Sequence, residues 1–174
     1  MPLLPPLEAS PDEVRELLGP LRHDFSVALH TAGNAFAVGA VIRVAHNFLA
    51  REIVLVGDDS HYEKASMGME KYETISRVHD EEALLAHVRG RPVWALEKDH
   101  ARRSLYDVRA YPKDVVFVFG SERFGLSRAF CERCDDVLAI PIYGVNQSLP
   151  LAVASGIVMN EWARVKHGRS PIGP

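Results

Sequence analysis

The chain has 174 residues, of which 47% are hydrophobic and 25% are charged, and its formal net charge is −3. This length fits one domain with a substantial core, and the composition is typical of a globular protein. No apolar run approaches the roughly 20 residues of a membrane-spanning helix, so we expect no membrane partner. The negative charge excludes a protein that coats nucleic acid through bulk positive charge, but it permits a local basic patch.

The amino terminus predicts a short arm in front of the main domain. Ser10-Pro-Asp-Glu13 forms a capping box and predicts a helix that ends at Gly19-Pro20. We therefore divide the chain into an arm over residues 1–22 and a domain over residues 23–174. The first residues lack the basic start and apolar stretch of a secretory signal, which favours a cytoplasmic location.

Predicted strands and helices alternate through the rest of the chain. Apolar runs predict five strands, at residues 25–29, 52–57, 92–96, 115–120 and 137–140. Apolar periodicity and capping residues predict helices at residues 34–48, 81–88, 125–131 and 148–166. The helical spacing of five apolar residues predicts the buried face of the first of these helices; they are Phe36, Val41, Val44, Ala45 and Phe48. The region 58–77 has weak periodicity and is predicted as a loop with a helical piece. The alternation predicts an α/β fold, an open parallel sheet with helices on both faces.

The ends of the predicted strands indicate where a ligand would bind. In open parallel sheets, ligands bind in the crevice beyond the carboxyl ends of the strands, here after Leu96, Phe119 and Ile140. Gly120-Ser-Glu-Arg-Phe-Gly-Leu126 follows the central strand, and a glycine at this position lets a ligand approach the backbone. The common fingerprints for nucleotide triphosphates and dinucleotides are absent from the sequence.

A second loop that contains glycine follows the last predicted strand. It reads Pro141-Ile-Tyr-Gly-Val-Asn-Gln-Ser148, and Ser148 is predicted to cap the final helix, with Pro150 in its first turn. Small residues in this helix allow close packing against another helix; they are Ala152, Ala154, Ser155 and Gly156. Two such loops after two buried strands predict a pocket for a nucleotide-like ligand within residues 115–160.

The two cysteines, Cys131 and Cys134, have the spacing C-x-x-C. A zinc site would need two more ligands, and no pair of histidines with metal spacing follows, so we expect no metal. A redox pair would lie at the start of a helix after a strand, whereas these residues come late in a predicted helix. We interpret them as ordinary thiols near a helix end.

Basic residues cluster in two stretches of the sequence. They are Lys98, His100, Arg102, Arg103 and Arg109 in the middle of the chain, and Arg43, His46 and Arg51 upstream. Taken alone, each cluster is more typical of a solvated face than of a nucleic-acid surface.

Three ordered segments carry a resemblance to a known family. They are Gly39-Ala-Val-Ile-Arg43, Val118-Phe-Gly-Ser-Glu-Arg-Phe-Gly-Leu126 and Ile140-Pro-Ile-Tyr-Gly-Val-Asn-Gln-Ser-Leu149. They resemble the end of the first motif, the second motif and the third motif of the SpoU (TrmH-like) branch of the SPOUT RNA methyltransferases. The similarity runs from about residue 25 to residue 164. Three motifs in the family's order are far more specific than any one of them.

The resemblance implies a fold, a reaction and a set of site residues. It implies a deep trefoil knot at the carboxyl end, an obligate homodimer, S-adenosylmethionine as methyl donor, and the ribose 2′-hydroxyl of a tRNA or rRNA as acceptor. By position, it implies a cofactor pocket lined by Leu96, Gly120, Ile140, Ser148 and Leu149. Arg43 matches the catalytic arginine, and Glu122 matches the carboxylate of the second motif. Because a guanidinium hardly loses its proton, we interpret Arg43 as orienting the target phosphate and stabilising the emerging alkoxide.

The chain departs from the family pattern at two positions. Pro150 stands where the third motif usually has asparagine, and Ala37 stands where the first motif usually has it. Asn34 is the candidate that replaces the amide missing at residue 37, so the predicted catalytic residues are Arg43, Glu122 and Asn34. The departures leave open a second hypothesis, a knotted RNA-binding protein that has lost catalysis. A third hypothesis is an α/β module that binds another adenine nucleotide.

Overall fold

The computed structural model describes residues 8–168. The strands are β1 (Phe25–His30), β2 (Ile53–Val56), β3 (Ile75–Val78), β4 (Val93–Leu96), β5 (Arg103–Ser104), β6 (Val115–Phe119) and β7 (Asp136–Ala139). The α-helices are α1 (Pro11–Leu18), α2 (Ala35–Asn47), α3 (Glu63–Ser66), α4 (Glu81–His87), α5 (Arg128–Arg133) and α6 (Leu151–His167). Among these helices, none is long and apolar enough to cross a membrane.

The strands form one parallel sheet in the order β3-β2-β1-β6-β4-β7-β5. Side chains of the central strand β6 alternate between two cores. Val115, Phe117 and Phe119 pack with residues of α2 and α6, whereas Val116 and Val118 pack with residues of α4 and α5. The predicted α/β fold with helices on both faces is therefore confirmed, and the trefoil knot stays a prediction.

Two strands of the sheet, β3 and β5, were not predicted from the sequence. Most of β3 lies in the region predicted as a loop with a helical piece, and its four residues are only partly buried or exposed. β5 has two residues and pairs only with β7. Short strands at the edges of a sheet carry little hydrophobic pattern, which explains why both were missed. The helical piece in the same region is present as α3 and a 3-10 turn over Met69–Tyr72.

The predicted starts of the last two helices are wrong. α5 begins at Arg128 rather than at Gly125, because Gly125 has φ +63° and belongs to a turn. α6 begins at Leu151, and its N-cap residue is Pro150 rather than Ser148. The backbone of Pro150 has ψ 140°, an extended conformation that precedes the helix.

Helix α6 packs against α2 of the same chain. A Cβ on Gly156 would lie 3.8 Å from Cγ1 of Val44, which is ordinary van der Waals contact. Gly156, one of the small residues of α6, therefore faces a helix within the chain. The apolar spacing had also placed Phe36 on the buried face of α2, but Phe36 is 63% exposed. The buried face turns instead through Ala37, Val38, Val41, Ile42 and Ala45.

An internal carboxylate, that of Glu73, connects the amino-terminal arm to the domain. Arg22 donates to both carboxylate oxygens, at 2.5 and 3.1 Å, and Nδ1 of His46 lies 2.7 Å from Oε1. The Glu73 side chain is 0% exposed and the Arg22 side chain is 9% exposed. The cluster joins the arm, α2 and the segment before β3. The arm boundary at residue 22 stays a prediction.

Replacing Glu73 by glutamine should lower the free energy of unfolding by about 3 kcal/mol, because the Arg22 guanidinium then stays buried without its counter-charge. Urea denaturation measures the change. The matched control is Glu132→Gln, which removes one partner of the exposed Arg128–Glu132 pair on α5 and should cost less than about 1 kcal/mol. Equal losses in the two variants would contradict this role of Glu73.

Candidate functional site

A cavity of about 410 Å³ opens at the carboxyl ends of β4, β6 and β7. These ends lie together because β4 pairs in parallel with both β6 and β7. The loops that follow the three strands form the cavity walls, which is where the strand pattern placed the ligand site. The volume falls within the roughly 300–1,000 Å³ of small-molecule sites.

All five residues that the resemblance assigns to a cofactor pocket line this cavity. They are Leu96, Gly120, Ile140, Ser148 and Leu149. Three of them contribute apolar side chains and the other two are small, so the wall combines an apolar surface with accessible backbone. Such a wall suits a flat heterocycle with a few polar edges. Their role in binding stays a prediction.

Gly120 is required by the shape of its own loop. A Cβ on Gly120 would lie 2.2 Å from the carbonyl carbon of Gly125 and 2.7 Å from the nitrogen of Leu126. The loop folds back because the Gly125 and Phe124 amides donate to the carbonyl oxygen and hydroxyl of Ser121, at 2.9 and 3.2 Å. A close approach at Gly120 was predicted, but the approaching group belongs to the loop itself.

The carboxylate of Glu122 bonds to the starts of two helices. Its Oε1 accepts a hydrogen bond from the Leu151 amide at 3.0 Å, and its Oε2 accepts one from the side-chain amide of Asn34. Leu151 is the first residue of α6, and Pro150 before it offers no side-chain cap. Glu122 therefore supplies, from another part of the chain, the cap that residue 150 does not.

Asn34 lies at the edge of the cavity beside Glu122. Its Oδ1 accepts from the Ala37 amide at 3.0 Å and caps α2, while its Nδ2 donates to Glu122. The two residues are 88 positions apart in the sequence. The structure thus brings together two of the three predicted catalytic residues, and the role of Asn34 as the replacement for the amide missing at Ala37 stays a prediction.

Arg43, the third predicted catalytic residue, does not line the cavity. It lies on α2 with an exposed side chain, about 12 Å along the helix axis from Ala35. Gly39, in the same motif, leaves room for another part of the chain to approach α2. A Cβ at this position would lie 2.4 Å from the Tyr62 carbonyl oxygen. The segment after β2 therefore crosses closely over α2.

The model of the SpoU rRNA Methylase family matches residues 24–160, a range that contains all three motifs. The chain belongs to this family. Over 149 residues it is 30% identical to the 23S rRNA (guanosine-2'-O-)-methyltransferase RlmB of Coxiella burnetii, a match that covers 86% of this chain and 56% of that protein. The chain spans about half the length of the two curated relatives that it matches over most of its residues.

Solved structures of SpoU-family relatives have the same fold. The A. aeolicus TrmH/SpoU tRNA modifying enzyme has a TM-score of 0.76 and 26% identity, over 90% of this chain and 82% of that one. The AdoMet-bound rRNA methyltransferase from Sinorhizobium meliloti has a TM-score of 0.74 and 27% identity, over 90% of this chain and 61% of that one.

Several basic residues of this SpoU-family chain are engaged within its fold. Arg102 donates to the carbonyl oxygens of Cys131, Cys134 and Asp135 at the end of α5. Three others contact carboxylates; the pairs are Arg103–Asp136, Arg51–Asp114 and His46–Glu73. These contacts argue against a continuous basic patch made of the two predicted clusters.

Arg123 was not singled out from the sequence, yet it lines the cavity, and its guanidinium carbon lies 5.0 Å from the Phe124 ring centroid.

Cys131 and Cys134 are free and buried at the end of α5. Burial raises the pKa of the Cys131 thiol to about 11 and the pKa of the Cys134 thiol to about 12. Reactive cysteines have lowered pKa values, so this shift opposes redox chemistry. Among the residues that the structure describes, no group of three or more metal-ligating side chains is placed to hold a metal ion.

Both thiols should resist 5,5′-dithiobis(2-nitrobenzoate) in the folded protein, since with pKa values of about 11 and 12 less than about 1% of either is thiolate at pH 8. Absorbance at pH 8 before and after addition of guanidinium chloride measures the labelling. In the unfolded chain both cysteines should react quickly and release two equivalents of 2-nitro-5-thiobenzoate from the reagent. Rapid labelling of either cysteine in the folded protein would contradict the assignment as ordinary thiols.

Proposed function

We propose that this protein is an S-adenosylmethionine-dependent methyltransferase that acts on the ribose 2′-hydroxyl of a tRNA or rRNA. The observation that carries the proposal is the cavity built by the loops of the second and third motifs, with Glu122 and Asn34 in contact at its edge. The named activity of the Coxiella burnetii relative supports 2′-O-methylation of RNA. The AdoMet-bound relative from Sinorhizobium meliloti supports the cofactor.

The residues of the cavity fit this cofactor. The side chains of Leu96, Ile140 and Leu149 would hold the adenine ring in an apolar slot, and backbone groups beside Gly120 and Ser148 would bond its polar edges. The bound cofactor supplies an electrophilic methyl group. The protein then has to exclude water and to align the ribose oxygen with that group, which accounts for much of the acceleration in such transfers.

Arg43 would act on the RNA rather than on the cofactor. An arginine side chain carries a positive charge and a planar set of donors. Arg43 therefore suits binding of the phosphate next to the target ribose and stabilisation of the negative charge that develops on the ribose oxygen. Its exposed position on α2, outside the cavity, fits a phosphate contact. The bound RNA strand would extend from the cavity to this helix.

We also propose a homodimer, in which a second copy of the chain covers the apolar surface around the cavity. Exposed apolar side chains occur on α2, on the loops after β6 and β7, and on α6; they are Phe36, Phe124, Tyr143, Val145 and Val153. Monomers rarely leave large apolar patches exposed. The trefoil knot and the cytoplasmic location stay predictions.

The second candidate is an RNA-binding protein that has lost catalysis, and Pro150 and Ala37 favour it. Two contacts weigh against it. Glu122 caps α6 in place of a side chain at residue 150, and Asn34 provides a side-chain amide beside Glu122. Asn34 thus supports replacement of the first-motif amide, while the contact of an asparagine side chain at residue 150 stays lost.

An assay of methyl incorporation tests the proposal. It combines the purified protein, RNA from a strain that lacks the gene, and S-adenosylmethionine labelled in the methyl group. Wild-type protein should incorporate label, and Arg43→Ala should reduce the rate by about 100-fold or more. The affinity of Arg43→Ala for S-adenosylhomocysteine should stay within about twofold of wild type, because Arg43 lies outside the cavity.

The matched control is Arg89→Ala. Arg89 is an exposed arginine just after α4. It lies near the amino ends of the strands, away from the cavity at their carboxyl ends, so its removal should leave incorporation unchanged. No incorporation by the wild type at saturating donor would favour the protein that has lost catalysis. An equal loss of rate and cofactor affinity in Arg43→Ala would place Arg43 in the pocket instead.

A further inference from the structure

Glu97 connects strand β7 to the loops after β4 and β6, two of the three loops that form the cavity, although it lies outside the three motifs. It follows β4, and its backbone amide donates to the Leu138 carbonyl oxygen of β7 at 3.0 Å. Its Oε1 accepts from the Asp99 amide at 3.3 Å and caps the turn Lys98–His100. Its Oε2 accepts from the Leu126 amide at 2.9 Å, in the loop after β6.

Residue 125 faces the carboxylate of Glu97, and the close approach of this carboxylate explains why the residue is a glycine. A Cβ on Gly125 would lie 2.4 Å from Oε2 of Glu97, and Gly125 also has φ +63°, which disfavours a side chain. Any other residue at 125 would displace either the carboxylate or the loop. The second motif thus has, next to its last residue, a glycine that leaves room for a carboxylate from the loop after β4.

The hydrogen bond from the Leu126 amide to Glu97 holds the carboxyl end of the loop that carries Glu122. The near end of this loop is held by β6, and its middle is closed by the bond from the Gly125 amide to the Ser121 carbonyl oxygen. Leu126 follows directly and is bound to Glu97. A hydrogen bond to an ionised acceptor is about twice as strong as a neutral one, so this bond is a firm anchor.

We propose that Glu97 is a positioning residue for the cofactor pocket. Its carboxylate fixes the loop after β6 against the loop after β4, sets the width of the slot between them, and keeps Glu122 in register with Asn34 and the start of α6. The inference rests on the proposed function, because it assigns the slot to S-adenosylmethionine. The contacts of Glu97 themselves do not depend on that assignment.

Replacing Glu97 by glutamine tests the proposal. A glutamine has one accepting oxygen, so its NH₂ group must face either the Asp99 or the Leu126 amide, and one of the two bonds is lost. The dissociation constant of S-adenosylhomocysteine and the KM for S-adenosylmethionine should rise about tenfold, the effect of one lost hydrogen bond. The kcat should fall by less than about threefold, because Glu97 positions the pocket without acting on the reacting atoms.

A second measurement reads the contact without any ligand. Amide hydrogen exchange at Leu126, followed by NMR, should be at least about tenfold faster in Glu97→Gln, while the amides of β6 keep their wild-type rates. The matched control is Glu132→Gln, the same chemical change on α5 outside the cavity, which should alter neither affinity nor exchange.

Gly125→Ala provides an independent variant. It should also weaken the affinity for S-adenosylhomocysteine, and the double variant with Glu97→Gln should lose less than the product of the two separate effects, because both break one contact. Unchanged exchange at Leu126 together with unchanged affinity in Glu97→Gln would overturn the proposal. Loss of kcat with unchanged affinity would also overturn it. If the wild type binds no S-adenosylhomocysteine, the proposed function fails, and hydrogen exchange alone decides the role of Glu97.

Discussion

The carboxylate of Glu122 accepts hydrogen bonds from the start of α6 and from Asn34 at the start of α2. Both helices begin at the edge of the sheet where the cavity opens, and the first amides of a helix have no partner within it. Pro150 offers no side-chain cap, so α6 depends on the loop after β6 for one. One buried face of α2 packs on α6, and the shared carboxylate therefore fixes the cavity edge and both helix ends together.

The fold and the position of the cavity could be predicted because their signal is local. β6 is buried on both faces, so it is a continuous apolar run, and the glycine after it marks a turn whatever the rest of the chain does. Parallel pairing then requires the carboxyl ends of neighbouring strands to share one edge. The loops after Leu96, Phe119 and Ile140 meet there for that reason alone, whereas Ser148 and Leu149 were assigned to the pocket only by the resemblance to the family.

The contacts that shape the site could not be predicted, because residue spacing carries no information about partners far apart in the sequence. Glu97 is 29 positions from Leu126, and Asn34 is 88 positions from Glu122. Only the position of Glu97 directly after a buried strand could have singled it out. Burial at the end of a helix is equally hard to predict from the sequence. Phe36 has the apolar spacing of a buried residue, but its side chain is exposed at the start of α2.

Isothermal titration calorimetry of the wild-type protein tests most directly whether this cavity holds S-adenosylmethionine. Separate titrations with S-adenosylhomocysteine, ATP and NAD compare ligands that share the adenosine group and differ in the rest. We expect one site per chain for S-adenosylhomocysteine with a dissociation constant in the micromolar range, and no heat of binding from ATP or NAD. Binding of ATP or NAD without binding of S-adenosylhomocysteine would contradict it.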